Sequence, residues 1–343
     1  MLRSAIMGCG HRAREHVVAY ECVKDAQLIA VCDINEQRLN EFADEFNVEH
    51  RFTDVERMLE VIQPELLHIV TQPNVRVEPI ALAARMGVRG IICEKPIALR
   101  PSELQCIVKM CEEHDVRLVI NHQKRMAPVW ERLRQFAQRD VERAHTIIGT
   151  SGLNLMGQGS HMIDQILALT GEQPPSHVLA HVWGAEDYQL THTAPSSAML
   201  TLWWDNGLRA YLEFGKMSPR IEGEPSWAWY QITVYGDAGC AWVQLNSGLR
   251  LWHRNGYEHI PCTWMETNRA GQVRLTQAMI DWLLERRDDH PCSLRWGRVS
   301  FEIIMAGYRS ALEERIVPFP IECTDEHWYA LRDKVMQATE GNT

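Results

Sequence analysis

The sequence predicts an α/β protein with an N-terminal doubly wound parallel sheet and a C-terminal α+β domain that has a large, open, mainly antiparallel sheet. In the first third of the chain, short apolar runs alternate with segments of helical spacing, which is the pattern of βαβ units. Later apolar runs are joined by "DNG", "GDAG" and "NSG", which favour antiparallel hairpins. All 12 tryptophans follow residue 121. We therefore predict a first domain at 1–121 and a second at 122–343.

Each strand is predicted from its own apolar run. The parallel sheet takes, in order, "LRSAIMG", "QLIAVCD", "EHRF", "LLHIVT", "VRGIICE" and "VRLVIN". The second sheet takes "HVLAHVWGA", "SAMLTLWW", "LRAYLEFG", "YQITVYG", "CAWVQL" and "LRLWH". Helical spacing returns in "QAMIDWLLERR" and "FEIIMAGYRSALEE", so we expect helices near the end of the chain.

The composition excludes several classes of protein. A chain of 343 residues, 45% of them hydrophobic, suffices for about two globular domains. The net charge of -10 argues against nucleic acid and anionic membranes as partners, because both bind clustered Lys and Arg. There is no CxxC, H-x-x-H or HExxH pattern, and no apolar run reaches about 18 residues. We expect a cytoplasmic protein without a signal peptide, membrane span or metal site.

A dinucleotide site is predicted at the first strand–helix turn. Gly8-x-Gly10-x-x-Ala13 follows the first strand and begins a helix, whose N–H groups would bind a pyrophosphate beside His11 and Arg12. Asp33 ends the second strand, where an acid would accept from ribose hydroxyls; alternatively, it caps the next helix. No Arg or Ser follows Asp33 directly, which favours NAD over NADP, although Arg38 lies further along.

Two later stretches carry candidate chemical groups. Glu94 and Lys95 follow the fifth strand, at the sheet edge where doubly wound folds bind ligands. Lys95 would bond to a substrate hydroxyl beside a nicotinamide, or else form a surface pair with Glu94. In "NLMGQGSHMIDQ", His161 and Asp164 lie on one side of a predicted helix that begins after a glycine-bearing loop. Taken alone, His161 is either a catalytic residue or simply a residue at the start of a helix.

The order of these motifs resembles a known family. The glycine turn, Asp33, "TQPN", "EKP", "NHQKRMAP" and "GSHMIDQILALTG" follow one another as in the Gfo/Idh/MocA family, the glucose–fructose oxidoreductase and inositol dehydrogenase group. The resemblance covers nearly the whole chain. It implies a Rossmann domain followed by an α/β domain whose open sheet supports a homodimer or homotetramer.

The resemblance also implies an activity and its residues. Members typically oxidise or reduce a secondary hydroxyl or ketone of a sugar, cyclitol or related polyol with NAD or NADP. Lys95 and His161 would be catalytic. The cofactor would contact Gly8, Gly10, His11, Arg12, Asp33, Thr71, Gln72, Asn74, Glu94 and Lys95, and the substrate would contact Lys95, Arg125, His161 and Asp164.

Two departures from the family pattern keep alternatives open. Related dehydrogenases place an Asp four residues before the helix histidine, where this chain has Gly157, and a His after "PN", where it has Val77. A small residue at 157 leaves room for a larger glycoside. An alternative function is therefore an NAD-dependent, redox-assisted glycosidase or lyase that retains its cofactor. A third is a non-catalytic dinucleotide-sensing or scaffold protein.

Overall fold

The computed structural model describes residues 1–340, so residues 341–343, the end of the predicted second domain, lie outside the described residues. The chain forms two compact units. The first comprises Met1–Ala98, Ser102–Ala127 and Asn268–Gly297, and the second comprises Leu99–Pro101, Pro128–Thr267 and the residues from 298 onward. The domain division at residue 121 stays a prediction.

The strands and helices have the following bounds. The strands are β1 Leu2–Met7, β2 Ala26–Cys32, β3 His50–Phe52, β4 Leu66–Ile69, β5 Gly90–Cys93, β6 Arg117–Ile120, β7 Ala144–Ser151, β8 His177–Trp183, β9 Ser197–Trp203, β10 Arg209–Gly215, β11 Gln231–Gly236, β12 Gly239–Gln244, β13 Gly248–His253, β14 Gly256–Ile260 and β15 Val317–Pro318. The α-helices are α1 His11–Ala19, α2 Glu36–Glu45, α3 Val55–Ile62, α4 Val77–Arg85, α5 Pro101–Glu113, α6 Pro128–Gln135, α7 Ser160–Leu169, α8 Trp264–Leu283, α9 Leu294–Glu313 and α10 Asp325–Glu340.

The first unit contains a parallel sheet in the order β3-β2-β1-β4-β5-β6, which confirms the doubly wound prediction. Strand order reverses between β1 and β4, so the carboxyl ends of these two strands border the ligand crevice expected for such sheets. Both faces of the sheet are buried, which is why its central strands are mainly apolar. One face packs Ile6, Val31 and Phe42, and the other packs Leu66 and Ile92 among buried residues of α8.

The second unit contains a nine-stranded sheet in the order β14-β13-β12-β11-β7-β10-β9-β8-β15. β7 and β10 run parallel, and the other neighbouring pairs are antiparallel, which confirms the prediction of a mainly antiparallel sheet. The predicted "DNG" turn joins β9 to β10, and Gly207 adopts a φ of 88° there, a conformation that favours glycine. Within residues 1–340, no helix is both long enough and apolar enough to cross a membrane.

Candidate active site

The glycine turn after β1 is shaped to admit a ligand. Gly8 has a φ of 95°, and a Cβ there would lie 2.4 Å from the carbonyl oxygen of Val70, so only glycine fits. A Cβ on Gly10 would meet no atom within 4 Å. α1 begins directly afterwards at His11, and no side chain among the described residues caps its start. An uncapped helix start facing open space fits a pyrophosphate.

Asp33 lies at the end of β2, as predicted, but its carboxylate is already saturated. It accepts hydrogen bonds from the backbone N–H groups of Cys9 at 2.7 Å and Asn35 at 2.9 Å. Arg38 donates through Nε at 2.9 Å and Nη2 at 2.6 Å. Burial opposes ionisation, but Arg38 and the backbone donors hold the pKa of Asp33 below its usual range. Four donors fill the capacity of a carboxylate, so a ribose hydroxyl has to displace one of them.

The segment after β4 carries three of the predicted cofactor contacts. Gln72 and Asn74 are exposed, and Asn74 lies in a short 3₁₀-helix, Pro73–Val75. The hydroxyl of Thr71 is buried, and no protein group within residues 1–340 forms a hydrogen bond with it. Buried hydroxyls normally have a partner, so this one fits a ligand amide or hydroxyl.

Glu94 is the centre of a buried polar cluster, which we call the Glu94 cluster: Arg12, His16, Glu94 and Asn121. Oε1 of Glu94 accepts from Arg12 Nε at 2.9 Å, His16 Nε2 at 3.0 Å and Asn121 Nδ2 at 2.6 Å. Burial alone would raise the pKa of Glu94. The charge of Arg12 and the hydrogen bond from His16 hold that pKa well below its usual range, so Glu94 is a carboxylate. The side chain of Arg12, which was predicted to contact the cofactor, thus forms an ion pair with Glu94.

A chain of hydrogen bonds extends this cluster into the sheet. His16 Nδ1 lies 2.9 Å from Nδ1 of His68, and His68 Nε2 lies 2.7 Å from the hydroxyl of Tyr20. Burial lowers the pKa of both histidines, so both are neutral. Since ionised Glu94 only accepts, His16 carries its proton on Nε2. His68 then carries its proton on Nδ1 and accepts from Tyr20. Sequence reasoning placed His68 in a strand but gave no sign of this chain.

Lys95 follows Glu94 at the carboxyl end of β5 and is partly buried. Burial lowers its pKa to about 8; Glu94 opposes that shift, while Arg12 and Arg76 add to it. Such a lysine exchanges a proton readily near neutral pH. Lys124, which sequence reasoning missed, is almost fully buried, and burial followed by the charge of Lys95 holds its pKa well below the usual range. The sequence signal for Lys124 was the pair of adjacent basic residues in "HQKRM", directly after an apolar strand.

Lys124 and the predicted substrate residue Arg125 share one short segment. Both lie in the 3₁₀-helix Gln123–Met126, which follows β6, and Arg125 is 2% exposed. The backbone N–H of Arg125 donates to the carbonyl of His122 at 2.9 Å, which closes the turn. The carboxyl ends of β5 and β6 are neighbours in the sheet, so this segment lies beside the strand end that carries Lys95.

His161 and Asp164 belong to the second unit, where both are buried in the first turns of α7. The preceding segment is a π-helical turn, Leu155–Gly159, and not the predicted loop. Asp164 lies near the buried hydroxyl of Tyr230, whose pKa is raised by burial and then by the charge of Asp164. Tyr230 also packs edge-on against Trp130, with ring centroids 5.7 Å apart. Asp164 is thus part of a buried polar group and not a surface cap.

Gly157 is held in place by Asn154. The backbone N–H of Gly157 donates to Asn154 Oδ1 at 2.7 Å, and a Cβ on Gly157 would lie 3.1 Å from the same oxygen. Nδ2 of Asn154 is itself bound to Asp187 at 2.9 Å and to the carbonyl of His192 at 3.1 Å. A larger residue at 157 would therefore press on an already fixed side chain.

The first part of the chain is similar in sequence to known proteins. Residues 2–122 match the family model described as "Oxidoreductase family, NAD-binding Rossmann fold", named for Gfo, Idh and MocA. Over 126 residues, 37% of this chain, it is 31% identical to D-apiose dehydrogenase of Paraburkholderia graminis, and the match spans only 33% of that relative's length. Over 74% of this chain it is 27% identical to UDP-N-acetylglucosamine 3-dehydrogenase of Acidithiobacillus ferrooxidans, covering 77% of that protein.

The fold of the whole chain also has a solved counterpart. An oxidoreductase from Agrobacterium radiobacter, crystallised with NAD+, L-tartaric acid and magnesium, superposes with a TM-score of 0.81 at 19% identity. The match covers 92% of this chain and 98% of the other, so both units follow a known two-part fold. Among the described residues, no group of three or more His, Cys, Asp or Glu side chains could hold a metal ion.

The first prediction concerns the protonation of Lys95. We expect its amine to titrate at about pH 8, as measured by pH-dependent competitive acetylation and mass spectrometry on the protein without cofactor. Glu94→Gln should lower this value, because the carboxylate charge favours the ammonium form. The exposed Lys109 provides an internal reference in the same digest. An unchanged or higher titration point in the Glu94 variant would contradict this view of the site.

Proposed function

We propose, on the basis that this chain belongs to the Gfo/Idh/MocA family of oxidoreductases, that it is an NAD(P)-dependent enzyme acting on a secondary hydroxyl or ketone. The substrate class is a sugar, cyclitol or related polyol. The observation that carries the proposal is Lys95, an amine with a pKa of about 8 beside an ionised Glu94 at the carboxyl end of β5. Both named relatives are sugar or sugar-nucleotide dehydrogenases, which supports the carbohydrate class.

The first unit supplies the groups that would hold the dinucleotide. Gly8 and Gly10 give its pyrophosphate access to the start of α1, and Asp33 stands where ribose hydroxyls bind. The hydroxyl of Thr71 and the exposed side chains of Gln72 and Asn74 line the end of β4. When bound, NAD(P) supplies the group that accepts or gives the hydride.

In this proposal, side chains of the protein transfer the proton. Neutral Lys95 accepts the hydroxyl proton during oxidation, and protonated Lys95 returns it during reduction. With a pKa of about 8, both forms are present near neutral pH. By the family resemblance, His161 is the second acid/base group, and Arg125 and Asp164 bind substrate hydroxyls.

The test is a spectrophotometric screen of sugars, cyclitols, polyols and sugar nucleotides for formation or consumption of NADH. We expect turnover with members of one class. Lys95→Met should lower kcat by at least about 100-fold, because general acid–base groups contribute that much, while fluorescence titration still shows NADH binding. Lys109→Met, which changes an exposed lysine, is the matched control. NADH binding without turnover of any compound would refute the proposal, and aglycone release without net NADH would favour the redox-assisted glycosidase.

Cofactor choice depends on the Asp33–Arg38 pair. We propose NAD as the main cofactor, so Arg38 has to leave Asp33 when the ribose binds. Arg38→Ala should tighten NAD binding by up to about fivefold, since the Arg38 side chain is about half exposed and such an ion pair is worth about 1 kcal/mol. The same change should weaken NADP binding, because the bare carboxylate repels the 2′-phosphate. Calorimetric titration measures both, and Arg51→Ala, which removes the Arg51–Asp44 pair, is the control. Weaker NAD binding by Arg38→Ala would contradict NAD preference.

We also propose that the protein is a homodimer or homotetramer assembled through the open sheet. Large apolar side chains are exposed on neighbouring strands of this sheet: Ile148, Met199 and Tyr211, with Tyr211 directly opposite Ile148. Light scattering after size exclusion should give a multiple of the 39.5 kDa chain mass. Tyr211→Glu should lower that mass, whereas Met265→Glu, at an exposed position on α8, should not. A monomeric wild-type protein would refute this assembly.

A further inference from the structure

Arg76 is a buried guanidinium whose hydrogen bonds within residues 1–340 all go to backbone carbonyls. It is 2% exposed and lies immediately before α4. Its Nε and Nη2 donate to the carbonyl of Thr71 at 3.2 and 2.6 Å, and its Nη1 donates to the carbonyls of Glu94 and Pro96. The carbonyl of Lys95 lies 3.5 Å from Nη2. Buried arginines are normally paired with carboxylates, so a fully buried one that binds four carbonyls calls for an explanation.

These carbonyls belong to the ends of two neighbouring strands. Thr71 follows β4, and Glu94 to Pro96 follow β5, while Ile69 and Cys93 are partners in the parallel register between the two strands. Carbonyls beyond a strand end have lost their ladder donors and must be satisfied otherwise. The planar guanidinium offers several donors in a fixed fork, so it sets the separation of the two segments as well as satisfying them.

We propose that Arg76 is the positioning residue of Lys95: it fixes the backbone from which Lys95 extends relative to the segment that begins at Thr71. The role of Lys95 in catalysis rests on the proposed function, whereas the position and titration of Lys95 do not.

The charge of Arg76 also acts on the Lys95 amine. Glu94, Arg12 and Arg76 act on the pKa of Lys95, and Lys95 in turn lowers the pKa of the neighbouring Lys124. Glu94 favours the ammonium form, and the nearby cations favour the neutral amine. Removing the positive charge at position 76 therefore raises the pKa of Lys95, and the limb of the pH profile that reports Lys95 moves to higher pH. A merely structural role for Arg76 would not produce this shift.

The experiment compares Arg76→Gln, which removes the charge, with Arg76→Lys, which keeps the charge and loses the fork. The Lys95 titration point is measured by competitive acetylation without cofactor, and kcat and KM are measured across pH. Arg76→Gln should raise the titration point of Lys95. Arg76→Lys should leave it nearly unchanged but lower kcat about 10-fold or more, because small misplacements of a reacting group are costly.

A matched control separates positioning from general stability. Arg117 also donates to a backbone carbonyl, that of Trp282, but lies at the amino end of β6, away from Lys95. Arg117→Gln should leave both the Lys95 titration point and kcat unchanged, and thermal melting shows whether each variant is folded.

Each outcome decides the proposal. An Arg76→Gln protein that is folded and has the wild-type titration point of Lys95 would overturn it, as would a loss of kcat no larger in either Arg76 variant than in Arg117→Gln. If the wild-type protein turns over no substrate, the proposed function fails. The acetylation arm still tests Arg76 in that case, because it needs neither cofactor nor substrate.

Discussion

The first unit depends on hydrogen bonds and a charge pair that stabilise one buried, ionised carboxylate, Glu94, at the carboxyl end of β5. An isolated ionised carboxylate at this depth would be very unfavourable, and three donors on one oxygen offset that cost. Those donors come from α1 and from the residue after β6. The same contacts that satisfy Glu94 therefore tie the helix of the glycine turn to the strand ends that carry Lys95 and Asn121.

The hydrogen-bond chain that starts at Glu94 continues into the core of the sheet. His16 donates to Glu94 through Nε2, and its other nitrogen, which is also buried, needs a donor that His68 provides from β4. His68 in turn needs a donor, which is Tyr20. The polar residue His68 in a fully buried strand is thus explained by its indirect link, through His16, to the Glu94 carboxylate. All members of this hydrogen-bond chain have to be satisfied together.

The fold followed from local signals, whereas parts of the site did not. Strand–helix alternation and the "DNG" turn depend on short stretches of sequence, and Gly8 marked its own backbone requirement. The saturation of Asp33 by Arg38 depends on a rotamer choice five residues away. Sequence reasoning missed the burial of Arg76, because its carbonyl partners lie at the ends of two strands that are distant in sequence. The π-helical turn before His161 contains a backbone bond from the Gly159 N–H to the carbonyl of Asn154, five residues earlier, which hydrophobic spacing does not indicate.

The balance of charge around Lys95 connects these features. The carboxylate of Glu94 raises the pKa of the Lys95 amine, and the guanidinium groups of Arg12 and Arg76 lower it. Burial and the two guanidinium charges favour the neutral amine, and Glu94 keeps the shift moderate, which leaves the pKa at about 8. In the proposed oxidation, the reacting oxygen gains negative charge as its proton leaves. In the proposed function that oxygen binds at Lys95, so the fixed charges of Arg12 and Arg76, which lower the pKa of Lys95, would also stabilise the negative charge on the oxygen.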